Sequence, residues 1–137
     1  KRQNIYCQVF RFKKLTNPKI RYKIKMNASQ LGLKGTCLRI GDQGSGIIII
    51  VGKEKSCRFF NKLVTKRIKW DENYEDRDTK TVADMTGNYC KQVWEGYSND
   101  LKFPNLFMKV CEDESDLLHT LQQFNAQSFI SAFKQSS

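Results

Sequence analysis

Apolar and polar positions alternate at the start of the chain in a way that predicts a strand. Ile5 to Leu15 (IYCQVFRFKKL) is rich in β-branched and aromatic residues. Its later part sets Val9, Arg11 and Lys13 against Phe10 and Phe12, the period-2 pattern of a strand with one solvated face. Thr16-Asn17-Pro18 follows. Asn at an N-cap with Pro at the first helical position is a start signal. Pro18 to Leu31 therefore reads as a helix with Ile20, Ile24, Ala28 and Leu31 on one face, stopped near Gly32 and Gly35. The same segment also alternates over Ile20 to Met26, which is a strand signature. The explicit start and the glycine stops decide for the helix.

Thr36 to Ile40 and Ile47 to Val51 read as strands joined through the turn residues 42–46, a hairpin. Lys53 to Ile68 has the clearest helical period, with Cys57, Phe60, Leu63 and Val64 as its buried stripe and Phe59 beside them. Asp71 to Gly87 is acidic and weakly apolar and predicts a long mobile loop. Tyr89 to Glu95 reads as a strand and Leu106 to Val110 as a short extended piece. Glu112 to Phe124 is a helix with Leu117, Leu118, Leu121 and Phe124 apolar, and its acidic start suits the positive end of a helix dipole. Ala126 to Lys134 is a last short helix with Phe129, Ile130 and Phe133 inward. No segment repeats.

This order predicts an α+β fold: a ferredoxin-like βαββαβ antiparallel sheet with two helices on one face, plus a C-terminal strand and helices. Isoleucine at four consecutive positions, 47–50, puts apolar groups on both faces of the third strand. The C-terminal helices are therefore expected to cover part of the second face. The 137 residues suit one domain, and no apolar run approaches the roughly 20 residues of a membrane-spanning helix. The chain begins at Lys1 without an initiator Met or a leader pattern, so it reads as a fragment of a longer protein.

Charge changes the picture more than composition does. Residues 1–70 carry 18 Lys and Arg against two acids, a net of +16, and residues 71–137 carry 6 against 12, a net of −6. The usual partner of such a positive field is a polyanion. The helix over 53–68 concentrates it. Lys55, Arg58, Lys62, Lys66 and Lys69 fall at steps of three and four along one edge, about 21 Å at 1.5 Å per residue, with only Glu54 nearby to oppose them. Such a row suits a phosphate backbone. The plainer alternative is a solvated face, but those usually interleave Glu with Lys. Arg21, Lys23 and Lys25, with Lys19 and the cations of 11–14, extend the basic surface. Trp70 and Trp94 could each stack on a base, although tryptophans more often serve a core or rim.

Catalytic and metal signatures are poor. The five cysteines are widely spaced without a C-x-x-C pair and His119 is the only histidine, so the cysteines read as buried reduced thiols and no metal site is expected. Gly46 to Lys53 fails as a phosphate-binding loop: five residues separate Gly46 from Gly52, and Glu54 holds the Ser/Thr position. No Gly-flanked loop ending in Arg joins the first strand and helix, as an acylphosphatase would need. The carboxylates crowd into a loop and a helix start, where a catalytic pair is hard to hold. The reading is therefore of a non-enzyme with no catalytic residue, no cofactor, no small-molecule substrate and no membrane partner. An RNA-recognition module of the usual kind also fits badly, because residues 47–51 offer no aromatic side chains.

Several short segments carry a resemblance. Leu15-x-Asn17-Pro18, Asn27-Ala28-x-Gln30-Leu31, Lys34-Gly35, Arg67-Ile68-Lys69-Trp70-Asp71 and Val93-Trp94-Glu95-Gly96 resemble the C-terminal domain of pre-mRNA processing factor 3, a splicing protein of the U4/U6 small nuclear ribonucleoprotein. The match runs from about Ile5 to near the C-terminus. The Arg-Ile-Lys-Trp-Asp and Trp-Glu-Gly pieces are its most specific parts, and the acidic 71–87 segment looks like the family's variable insertion. The resemblance implies a single non-enzymatic RNA-binding domain over 1–137, the C-terminal fragment of a nuclear protein. The implied ligand is U4/U6 small nuclear RNA, chiefly the single-stranded 3′ region of U6 beside the duplex, within the U4/U6·U5 tri-snRNP. The family's upstream region, which helps grip the duplex, is represented at most by residues 1–4, so the fragment alone is expected to bind weakly. The competing reading is a protein-docking module whose basic face meets an acidic partner in the same particle.

Overall fold

Strand β1 (Ile5–Phe12) lies near the middle of a five-stranded sheet in the computed structural model, which describes residues 5–134. Residues 1–4, the possible upstream remnant, fall outside the described residues. Helix α1 (Pro18–Gln30) follows, then β2 (Lys34–Ile40), β3 (Gly46–Gly52) and helix α2 (Glu54–Lys62), continued by a π-helical turn, Leu63–Arg67. Strands β4 (Cys90–Ser98) and β5 (Leu106–Cys111) and helices α3 (Glu114–Gln122) and α4 (Ile130–Lys134) complete the order, with a 3-10 turn, Gln127–Phe129, leading into α4. The sheet runs β4-β1-β3-β2-β5, antiparallel except where β5 joins β2 in parallel. The first four strands have the ferredoxin-like order, with β3 inserted between β1 and β2.

The competition over residues 20–26 resolves as helix. The Asn17 side chain accepts from the Lys19 amide at 3.0 Å, and Pro18 opens the first turn. Ile20, Ile24 and Ala28 then bury at steps of four, while Tyr22, which a strand would have placed on the same face, is 63% exposed. An N-cap of this kind is worth about 1 kcal/mol.

Strand β3 divides the interior in two. Ile48 and Ile50 join Phe10, Phe12, Cys37, Ile24, Phe60 and Val64 beneath α1 and α2. Ile47, Ile49 and Val51 join Cys7, Val9, Leu38, Leu117, Leu121 and Phe129 beneath α3 and α4. All four isoleucines are fully buried. The C-terminal helices thus cover the second face, as the sequence pattern suggests.

That layer overturns the expectation of a wet face on β1. Cys7 and Val9, on the face beneath α3 and α4, are fully buried. Arg11 escapes by reaching out of the layer: its Nε donates to the Phe133 carbonyl at 3.0 Å and its Nη1 to the Tyr89 hydroxyl at 2.8 Å. The alternation in sequence was real, but it marked a charged residue at the rim of a covered face.

The acidic 71–87 segment also departs from the long mobile loop expected of it. A two-residue hairpin, Tyr74–Glu75 with Val82–Ala83, forms within it, and Met85 is buried. Tyr74 donates to Thr16 at 2.8 Å, Asn73 accepts from the Met85 amide at 2.7 Å, and buried Asn88 donates to the carbonyls of Lys14 and Trp70 at 2.9 Å. These polar anchors tie the segment to the β1–α1 loop, which is why its low hydrophobicity misleads.

All five cysteines are buried and none forms a disulfide. Burial pushes the thiols of Cys7, Cys37 and Cys57 up to about 12 and raises those of Cys90 and Cys111. They are protonated at neutral pH and poor nucleophiles.

Candidate functional site

The outward surface of α2 is the basic edge expected from spacing, with a changed composition. Lys55, Lys62 and Lys66 are exposed and make no ion pair among the described residues. Arg58 is exposed but engaged. Its Nε and Nη2 donate to Glu54 at 3.0 and 2.7 Å, Glu95 lies 3.9 Å away, and its guanidinium sits 5.4 Å from the Tyr6 ring centroid. Glu54 also accepts from the Tyr97 hydroxyl, and that bond, with Arg58, holds its carboxyl below the ordinary glutamate value. Arg58 therefore belongs to a clamp between α2 and β4, in part through an acid of the chain's acidic half.

The end of α2 changes the row again. Ile68 donates to the Leu63 carbonyl at 2.9 Å, an i to i+5 bond, and then turns into extended backbone. The wider π turn lets Leu63, Val64 and Ile68 all bury. It also carries Lys66 on the helix while leaving Lys69, though exposed, beyond its end. The continuous row is thus Lys55, Lys62 and Lys66, with Lys69 on the following segment.

Trp70 leaves the site altogether. Only 4% of it is exposed, its indole stacks on Phe12 with ring centroids 5.7 Å apart and planes 17° apart, and its Nε1 donates to the Val64 carbonyl at 2.6 Å. It locks the end of α2 onto the sheet and has no face left for a base. Trp94 is 38% exposed and packs on Phe129 at 5.1 Å, over the α4 side rather than beside α2. A Cβ on Gly96 would come within 2.7 Å of that indole, so the Trp-Glu-Gly segment needs its glycine for packing.

What spacing overlooked is Phe59, assigned beside the buried stripe but 45% exposed. At 100° per residue it falls about 40° from Lys55 and about 60° from Lys62, between those cations. The Arg67 guanidinium covers one side of its ring at 5.2 Å from the centroid. The helical wheel carried this signal; the neighbouring Phe60 masked it, since two adjacent phenylalanines read as one apolar patch.

Helix α1 packs on the same core as α2, and Lys23 and Lys25 stand exposed on it. Arg21 is half-buried, and its Nη1 donates to the carbonyls of Leu15 and Thr16 at 3.1 and 2.9 Å, so it braces the β1–α1 loop while keeping its charge. The two helices thus form one basic layer. The acids of the 71–87 hairpin make no ion pair with it among the described residues. His119 is exposed on α3, and no group of three or more His, Cys, Asp or Glu able to hold a metal occurs among the described residues.

Comparison with known proteins gives the fold and the family separately. Klebsiella pneumoniae BlrP1 aligns over 93% of this chain and 34% of its own with a TM-score of 0.58 at 11% identity. The BLUF protein BlrB aligns over 95% and 98% with a TM-score of 0.53 at 14% identity. At such identities the likeness is one of fold. In sequence, the chain is 34% identical over 109 residues to the Arabidopsis thaliana protein RDM16, covering 78% of this chain and 14% of that protein. It is 28% identical over 127 residues to the U4/U5/U6 small nuclear ribonucleoprotein prp3 of Schizosaccharomyces pombe, covering 85% and 23%. The chain thus spans less than a quarter of the length of these relatives. Residues 8–133 match the model of the small nuclear ribonucleoprotein Prp3 C-terminal domain, from β1 through α4, and the chain belongs to that family.

Proposed function

We propose that this domain binds RNA through the basic layer formed by α1 and α2. Its ligand is U4/U6 small nuclear RNA, at the single-stranded 3′ region of U6 beside the duplex, and the binding supports U4/U6·U5 tri-snRNP assembly in pre-mRNA splicing in the nucleus. Membership of the Prp3 family supports a splicing ribonucleoprotein component; the surface supports the polyanion. The observation that carries the reading is the exposed Phe59 ring set between the unpaired cations Lys55 and Lys62, with Lys66 following on the π turn. Single strands are held by cations tracking the backbone and by aromatic faces on which bases stack, a contact worth about 1–3 kcal/mol per base. Lys69, Lys23 and Lys25 continue the surface to either side.

The test is a fluorescence-anisotropy titration of a duplex RNA with a single-stranded 3′ extension. Reversing Lys62→Glu and Lys66→Glu together should weaken binding at least tenfold, and the loss of two phosphate contacts lowers the salt slope by about 1.4. Phe59→Ala should weaken binding without moving the slope. Affinity unchanged in both variants removes α2 from the interface. A protein-docking role for the same face predicts instead that association with the particle survives nuclease treatment.

A further inference from the structure

The α1 edge of the basic layer ends at a cavity that the α2 row does not reach. It has a volume of about 280 Å³ and lies between α1 and the edge strand β5, with Arg39 of β2 in its wall. Arg39 is 7% exposed, yet its charge is poorly compensated. Its Nη2 meets Asp42 at 3.3 Å, and that carboxylate is 80% exposed, while its Nε is buried and donates to nothing among the described residues. A buried guanidinium is costly unless paired and hydrogen-bonded, so the wall is under-filled by an anion's worth of contacts.

The other lining groups sharpen the chemistry. Arg21 donates only to neutral carbonyls, so its charge persists, and Lys25 forms no ion pair among the described residues. Lys109, by contrast, is neutralised by Asp116 at 3.1 Å and also donates to Thr120. Three cations therefore face the cavity against the single carboxylate of Asp42. Its rim is the opposite in character: Tyr22 is 63% exposed and Val110 44%, beside Met108. A cationic wall beneath an aromatic and apolar rim matches a ligand with an anionic head and a flat hydrophobic body.

We propose that this cavity seats one nucleotide of a single-stranded RNA, its phosphate on Arg39, Arg21 and Lys25 and its base against Tyr22 above Met108 and Val110. The inference rests on the RNA-binding reading and extends it, because it makes the strand cross α1 to the β5 edge instead of ending at α2. An acidic peptide would satisfy the cations but leave the Tyr22 and Val110 rim unused, and the α1 cations are continuous with the layer already assigned to RNA.

The probe is a fluorescein-labelled single-stranded oligouridine titrated into the 137-residue chain at several salt concentrations. Tyr22→Ala, on an exposed ring whose loss leaves the core intact, should weaken binding about five- to tenfold with the salt slope unchanged. Arg39→Gln should weaken it by a similar factor and lower the slope by about 0.7. A thermal melt of each variant checks folding. A 4-thiouridine probe should crosslink to the peptide holding Tyr22. If both variants keep wild-type affinity while the Lys62/Lys66 reversal loses it, the cavity is not an RNA site and the α2 reading stands. If the unaltered chain binds neither this probe nor the junction RNA, both readings fall together. A polyglutamate peptide that binds in an Arg39-dependent way and is not displaced by the oligouridine overturns the proposal in favour of a protein partner.

Discussion

The two layers that sandwich the sheet have similar interiors and opposite exteriors. Alternate isoleucines of β3 feed both cores, and the helices above each bury their apolar stripe in the same manner. Outside, the α3 and α4 layer balances itself: Lys109 pairs with Asp116 at 3.1 Å and Lys134 with Glu114 at 3.2 Å. The α1 and α2 layer does not. Its one acid, Glu54, is taken up by Arg58 and Tyr97, and the lysines around them stand unopposed. The charge split between the chain's halves is only in part a split between layers: Glu112, Asp113, Glu114 and Asp116 gather at the start of α3, but six of the later half's twelve acids lie in the 71–87 segment beside the β1–α1 loop. Net charge alone does not make a binding surface; cations left without local acids do.

The largest test of this comparison concerns the interiors. Ile48→Ala and Ile49→Ala empty opposite faces of one strand, and each should cost about 2–5 kcal/mol in urea denaturation. A much smaller loss at Ile49 would make the C-terminal layer an accessory rather than half of the core. Trp70→Phe keeps a ring on Phe12 but loses the bond to the Val64 carbonyl, and should cost about 1–3 kcal/mol while leaving RNA affinity within about twofold. A selective loss of RNA binding there would return Trp70 to the interface.

The exteriors come next. Reversing Glu114→Lys frees Lys134 and makes the second layer basic too, while Asp116 keeps Lys109 neutralised beside the cavity. Junction-RNA affinity should change less than about threefold, since exposed charges farther than roughly 10 Å from the ligand are screened. A gain as large as the loss from the Lys62/Lys66 reversal would mean that the whole molecule's field, not one layer, drives binding. The smallest effect belongs to the clamp. Glu54→Gln should free Arg58 and tighten RNA binding about two- to threefold in the same titration. Because the Glu54 carboxyl titrates below its ordinary value in the folded protein, its stabilising contribution is present above the unfolded value and lost as pH falls through the folded one. An NMR titration should show Tyr97 released from Glu54 only in that acid range.

Thiol chemistry reports on both layers at once. Cys37, Cys57 and Cys90 lie in one core and Cys7 and Cys111 in the other. None should react with a thiol reagent at neutral pH until the protein unfolds, and staggered reactivity would reveal that one layer opens before the other.

The motifs that identify the family turn out to be structural. Ile68 and Trp70 close the end of α2, Glu95 accepts from Tyr6, and Gly96 leaves room for Trp94. Asn17 caps α1, as its position before Pro18 announces. The Asn17 cap is legible in one sequence because its job depends on local geometry, whereas Trp70 on Phe12 and Glu95 on Tyr6 are contacts between distant parts of the chain. The proposed interface lies mostly between them, Lys69 excepted, on exposed cations and the Phe59 ring.

From the sequence alone came the element order, the helix start at Pro18, the two-sided third strand and the basic edge of α2, all set by periodicity and by the chemistry of neighbours along the chain. Only the tertiary structure decided which face Phe59 shows, that Trp70 is core, that Arg58 is clamped and that Arg39 is buried beside a cavity. These outcomes depend on contacts between residues distant in sequence. Glu95 meets Arg58, and β5 brings Met108 and Val110 up to α1, and no spacing along the chain encodes those meetings.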